Sequence, residues 1–201
     1  MIKLRIDKSD VDRVINKLAQ LDPKRKDGIA KRAMVDASAF IMQVLVWNVS
    51  GIILKRRTGY LARSIGFTIN DTGNQLKGII GSGQGKKYAR VKYADILETG
   101  GVITPKNVHW LTIPTRLNQT PSGVTRFTAP QLYEKYGKKN IVYIDNTMFI
   151  KTGKKGNLKG MFNLVKRATI PSFRYMARTA ESCQSRIADI MINRIDKEIN
   201  Q

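Results

Sequence analysis

At 201 residues with 42% hydrophobic content, the chain can bury an ordinary core, which excludes wholesale disorder and fits one large domain or two small ones. Lysine and arginine number 36 against 15 acids, a net charge of +21, so the folded surface attracts polyanions over a Debye length of about 8 to 10 Å. A single cysteine, Cys183, excludes an internal disulfide, and the charged start MIKLRIDKSD has no apolar stretch of the secretory kind.

In chain order, IKLRID alternates as a short strand does. SDVDRVINKLAQL then carries a Ser9 or Asp10 cap, with Val11, Val14, Ile15, Leu18 and Leu21 on one helical face. A long helix is expected from about Lys24 or Asp27 to about Leu54. Its part from Ala37 to Leu54 holds no charge and has basic flanks, as a membrane span would. Asp36, Gln43, Ser50 and Arg57, seven apart, mark a wet stripe that a spanning helix does not explain. A central core helix and no membrane are therefore expected.

RRTGYLARSIGFTIN reads as a turn, one or two helical turns and a strand starting near Ile65. QLKGIIGSG is a further strand, paired with it through Asp71-Thr72-Gly73-Asn74. YARVKYADILETGG reads as a short helix, with Ala89, Tyr93, Ile96 and Leu97 at helical spacing, stopped by Gly100 and Gly101. VHWLTIP is a strand. IVYID and TMFIK are one bent strand or two, since Asp145-Asn146 can turn or bulge, and MFNLVKRATI is the last strand before Pro171. From Ser172 to about Asn200 an amphipathic helix places Phe173, Met176, Ala177, Ala180, Ile187, Met191 and Ile195 on one face.

Helices at both ends around a middle sheet make the class α+β, a central, mostly antiparallel sheet packed by the long core helix and the amphipathic C-terminal helix. With no repeat and no domain linker, residues 1–201 read as a single domain with a loop or extension at 115–160.

Catalysis finds little support. His109 is the one histidine and is expected to be exposed or partly satisfied rather than a ligand or base; Cys183 lies in a helical pattern with no second imidazole to activate it. No catalytic, cofactor or metal site is expected. GSGQGKK, residues 81–87, does not match a phosphate loop. The cations cluster at Lys24-Arg25-Lys26, Lys55-Arg56-Arg57, Lys86-Lys87, Lys138-Lys139, the run Lys151, Lys154, Lys155 and Lys159, and Lys166-Arg167. No base-reading motif accompanies them, so sequence-independent backbone attraction is what the charge suggests.

Taken in order, RTGYLARSI, YARVKYADILETGG, WLTIP and LVKRATIPSFRYM, followed by the amphipathic helix, resemble the tail-completion proteins of tailed bacteriophages. These are the minor tail protein Z and head–tail joining group, with the virion-morphogenesis proteins of Mu-like phages close by. Such proteins often carry an Arg-Pro-Phe-like step after the isoleucine-proline, where this chain has Ser172-Phe173-Arg174-Tyr175. The resemblance implies a structural protein in the virion neck or tail, assembled in the host cytoplasm as a hexameric ring against the tail tube protein and the head–tail connector or stopper, with DNA in its lumen. It implies a subunit interface at Tyr93, Asp95, Glu98 and Arg57, and DNA- or partner-facing lysines at Lys86, Lys87, Lys151, Lys154, Lys155 and Lys159. A sequence-independent nucleic-acid-binding protein is the alternative.

Overall fold

The computed structural model describes residues 8–20, 23–55, 57–72, 75–85, 89–153 and 156–200. The expected strand IKLRID lies outside them. The fold is α+β, and among the described residues the strands pair antiparallel and form three separate sheets rather than one. The chain also divides into two compact units, Met1–Thr99 with Ser172–Gln201, and Gly100–Pro171. The sequence suggests one domain instead, because the second unit begins and ends without a linker-like stretch.

In the first unit α1 (Lys8–Ala19) and α2 (Pro23–Trp47) pack with α6 (Tyr175–Ile199). Ile29, Ala33, Ala37, Ile41, Leu45 and Val49 form a buried row at steps of four along α2 and its continuation. On α6 the buried row is Tyr175, Thr179, Cys183, Ile187, Met191 and Ile195, again at steps of four. Rows at this spacing are the ridges by which two helices interdigitate, and the α2 alanines let the backbones approach. The expected α6 face is thus correct from Ile187 onward and turned in the first two turns. There Thr179 is buried, because its hydroxyl donates to Tyr175 O at 2.7 Å and accepts from Asn48 Nδ2 at 2.7 Å.

The same asparagine ends α2 earlier than its apolar run suggests. The helix widens into a π turn over Asn48–Ile52, with Ile53 N and Leu54 N both reaching Asn48 O, and Gly51 leaves helical geometry. The wet stripe and the buried row together give α2 a core side and a solvent side.

After α3 (Tyr60–Ser64), β1 (Ile65–Asp71) and β2 (Leu76–Ser82) form the expected hairpin, in register Ile65 to Ser82 through Asp71 to Leu76. It packs on α2, and the approach is close. A Cβ on Gly78 would lie 2.5 Å from Ser38 Oγ. The unit's last element in sequence before the second unit is α4 (Ala94–Thr99), shorter than the motif's apolar spacing implies.

The second unit holds β3 (Gly101–Ile103) paired with β8 (Ala168–Ile170), and a four-stranded sheet in the order β4-β7-β6-β5. Its strands are β4 (Leu111–Pro114), β5 (Ile141–Ile144), β6 (Thr147–Thr152) and β7 (Asn157–Val165). The segment 115–160 is therefore mostly folded. It supplies α5 (Ala129–Tyr136), whose Leu132 is fully buried on Ile141, Met148, Ile150, Met161 and Phe162. Thr128 and Gln131 cap α5 with a reciprocal box. IVYID and TMFIK are two strands, because Asp145 and Asn146 both take positive φ, 44° and 58°, the pair of conformations a two-residue hairpin turn needs. MFNLVKRATI divides between β7 and β8, which belong to different sheets.

Candidate functional site

The segments that carry the family resemblance meet one another within each unit. In the first unit, Leu61 and Ile65 of RTGYLARSI, Val91 and Ala94 of YARVKYADILETGG, and Tyr175 of the last motif share one buried cluster with Leu45, Val49 and Leu54. Polar contacts fix the register. Ser64 Oγ donates to Leu61 O at 2.7 Å and lies 2.8 Å from Ser82 Oγ, which in turn accepts the Val91 amide at 2.9 Å. Glycines in GSGQGKK serve packing here: Gly83 has φ 80° and a Cβ on it would sit 2.6 Å from Arg90 Cβ. Lys86 and Lys87 lie outside the described residues.

Helix α6 starts immediately after Arg174, which takes a left-handed φ of 49° and offers no side-chain cap. The cap comes from α4. The Glu98 carboxylate accepts the amides of Met176 at 2.7 Å and Ala177 at 3.1 Å. Its backbone carbonyl accepts Ser172 Oγ at 2.7 Å and Arg174 N at 3.2 Å, and Leu97 O accepts Phe173 N at 2.9 Å. A carboxylate at a helix N-terminus is favoured by both hydrogen bonding and the helix dipole. Tyr175 OH reaches back to Ala94 O at 3.3 Å, and burial, with the Glu98 and Asp95 carboxylates nearby, pushes its hydroxyl pKa well up.

Glu98, expected as an acid offered to a neighbour, is thus engaged within the chain as the cap of α6. Asp95 pairs with Arg90, both well exposed. Tyr93 is 45% exposed and Arg57 is exposed, so these two with Asp95 remain on the surface.

The remaining motifs pair within the second unit. WLTIP supplies β4, whose Leu111, Thr112, Ile113 and Pro114 face Val165, Leu164, Asn163 and Phe162, and the next strand of LVKRATIP, β8, pairs with the Gly101–Ile103 strand that follows YADILETG. Lys166 stands over the Trp110 ring at 5.5 Å.

Charge is distributed unevenly. Every ion pair among the described residues lies in the first unit, including Arg13 with Asp189, Lys17 with Asp196, and Arg32 and Arg194 with Glu198. The second unit carries twelve lysines and arginines and only two acids, Glu134 and Asp145. Lys151 and Lys159 are exposed there, as are Lys138 and Lys139, a pair outside the set of lysines expected to face DNA or a partner. Lys154 and Lys155 lie outside the described residues. Only the strand register, which the sequence does not state, shows that Lys138-Lys139 and the 151–159 run belong together.

Among the described residues no three His, Cys, Asp or Glu side chains gather as a metal site. His109 is exposed, and Cys183 is buried, which pushes its thiol pKa up and away from reactivity. Asp27–Ile52 is long and apolar enough to cross a membrane by length and composition, and its buried row is the one that packs on α6. Comparison with protein-family models, curated proteins and solved structures returns no match.

Proposed function

We propose that this chain is a structural virion protein of a tailed bacteriophage, completing the tail and joining it to the head connector as a ring around the DNA channel. The observation that carries the reading is the convergence of the ordered motifs. Segments separated by up to a hundred residues or so are the ones that build the shared cluster, cap α6 and pair as strands, as expected of a set that specifies one scaffold. The surface left over suits assembly. Tyr93 and Asp95 stand exposed on one short segment, and Arg57 is exposed at the start of another.

Asp95→Lys tests the interface without the confusion that Glu98 would bring. The Arg90–Asp95 pair is solvent-exposed, so losing it should cost under about 1 kcal/mol of stability. Reversing the charge opposite a basic neighbour should nonetheless reduce joining to the tail tube at least about tenfold. Light scattering of the mixture reads the joining and circular dichroism the fold. Unchanged joining would remove this segment from the interface.

A second reading, a free sequence-independent nucleic-acid-binding protein, is favoured by one observation, the excess of cations over acids in the second unit. It leaves the ordered motifs unexplained.

A further inference from the structure

The second unit gathers lysines at one end of its four-stranded sheet. Lys138 and Lys139 form the short turn that leads into β5, whose first residue, Ile141, pairs with Ile150 of β6. Lys151 follows Ile150 directly, and Lys159 of β7 pairs with Ile150 from the other side. Two neighbouring strands, β6 and β7, and the turn that precedes β5 therefore bring four exposed lysines to one end of the sheet, across about two strand spacings, roughly 10 Å, from β5 to β7. Because Lys159 registers with Ile150 and Lys151 with Leu158, the cations alternate between the two faces of the sheet's end. Asp145 occupies the turn at the opposite end of the β5–β6 hairpin, and among the described residues neither it nor Glu134 forms an ion pair.

We propose that this lysine-bearing end, Lys138, Lys139, Lys151 and Lys159, is a binding surface for the phosphate backbone of duplex DNA. The four cations reach one end of the sheet from both of its faces, and no described ion pair of the same unit offsets them, so an anionic partner wrapping this end is the missing element. The chemistry favours phosphate. All four cations are lysines, compact charges on flexible stems, which suits phosphates met at irregular positions along a backbone. Duplex DNA presents a charge about every 3.4 Å along each strand, so a cation group about 10 Å wide meets several phosphates at once. No base-reading element accompanies them, and binding should be indifferent to sequence. The inference rests on the joining-ring reading for duplex DNA being the polyanion at hand.

The test compares two variants of equal net charge. One replaces Lys138, Lys139, Lys151 and Lys159 by glutamine; the other makes the same change at Lys55, Lys77, Arg178 and Lys197, exposed first-unit cations that form no ion pair among the described residues. Binding of a random duplex is titrated with salt, and assembly on the tail tube is followed by light scattering. The first variant should flatten the slope of log affinity against log salt by about 0.9 for each phosphate it no longer neutralises, up to about 3.6, and weaken binding at least about tenfold at about 0.1 M salt. The second should change the slope by less than about 0.9. Equal slopes in the two variants would overturn the proposal, as would failure of tube binding in the first variant with its DNA slope intact, which would assign these lysines to an acidic protein face. If the wild type binds duplex through this end yet never joins a tube, the DNA surface stands and the ring reading fails.

Discussion

Replacing Glu98 by alanine should lower stability by about 2 to 3 kcal/mol, although the side chain is neither apolar nor deeply buried. Loss of a helix cap costs about 0.5 to 2 kcal/mol, and hydrogen bonds to a charged group are worth about 1.5 to 3. Here one carboxylate accepts two of the first-turn amides of a 25-residue helix whose Cys183, Ile187, Met191 and Ile195 lie in the seam with α2. In a chain of this length each kcal/mol moves the midpoint by about 2 to 4 °C, so Tm should fall by roughly 4 to 12 °C. Glu98→Gln keeps one acceptor oxygen and should lie between wild type and alanine. Glu98→Lys should be the worst of the three, because it sets a cation against the positive end of the helix dipole. Calorimetry on the series gives the order directly. If all three melt within about 1 °C of wild type, α6 is not capped from α4. It also follows that an assembly defect in a Glu98 variant cannot by itself be read as a broken interface.

Ile195→Ala should cost about 2 to 5 kcal/mol, through the apolar burial removed and the cavity left behind. Ile195 is fully buried in the seam between α2 and α6, alongside Ile29, Ala33 and Met191. Ile199, one turn further on, is 41% exposed, and its alanine variant should change stability by less than about 0.5 kcal/mol. Urea unfolding of the two variants separates the cases. The pair also bears on the apolar stretch of α2. If that stretch left the protein for a membrane, α6 would lose the partner of its buried row, and Ile195 would matter no more than Ile199.

The periodic signals in the sequence translate well where burial alone decides the structure. The α3, β1 and β2 elements follow RTGYLARSIGFTIN and QLKGIIGSG almost residue for residue, since each change of period coincides with a turn residue. Legibility fails where a polar side chain makes a long-range bond. Asn48 widens α2 because Thr179 waits for it more than a hundred residues later, and Thr179 then takes a core position that apolar periodicity gives to its neighbours. Glu98 is the same case at the candidate site. Its spacing from Asp95 suggests a surface pair of acids, whereas its partners, Met176 and Ala177, lie 78 and 79 residues away. The lysine end of the second unit is half legible: the 151–159 run stands out in the sequence, and Lys138-Lys139 joins it only through the β5–β6 register.

Negative-stain imaging of the purified protein, alone and mixed with the tail tube protein proposed as its partner, tests the joining role most directly. Closed rings of uniform diameter seated on the ends of the tubes are the expected result. Tubes with bare ends, and a protein that stays monomeric at tens of micromolar with or without them, would contradict it.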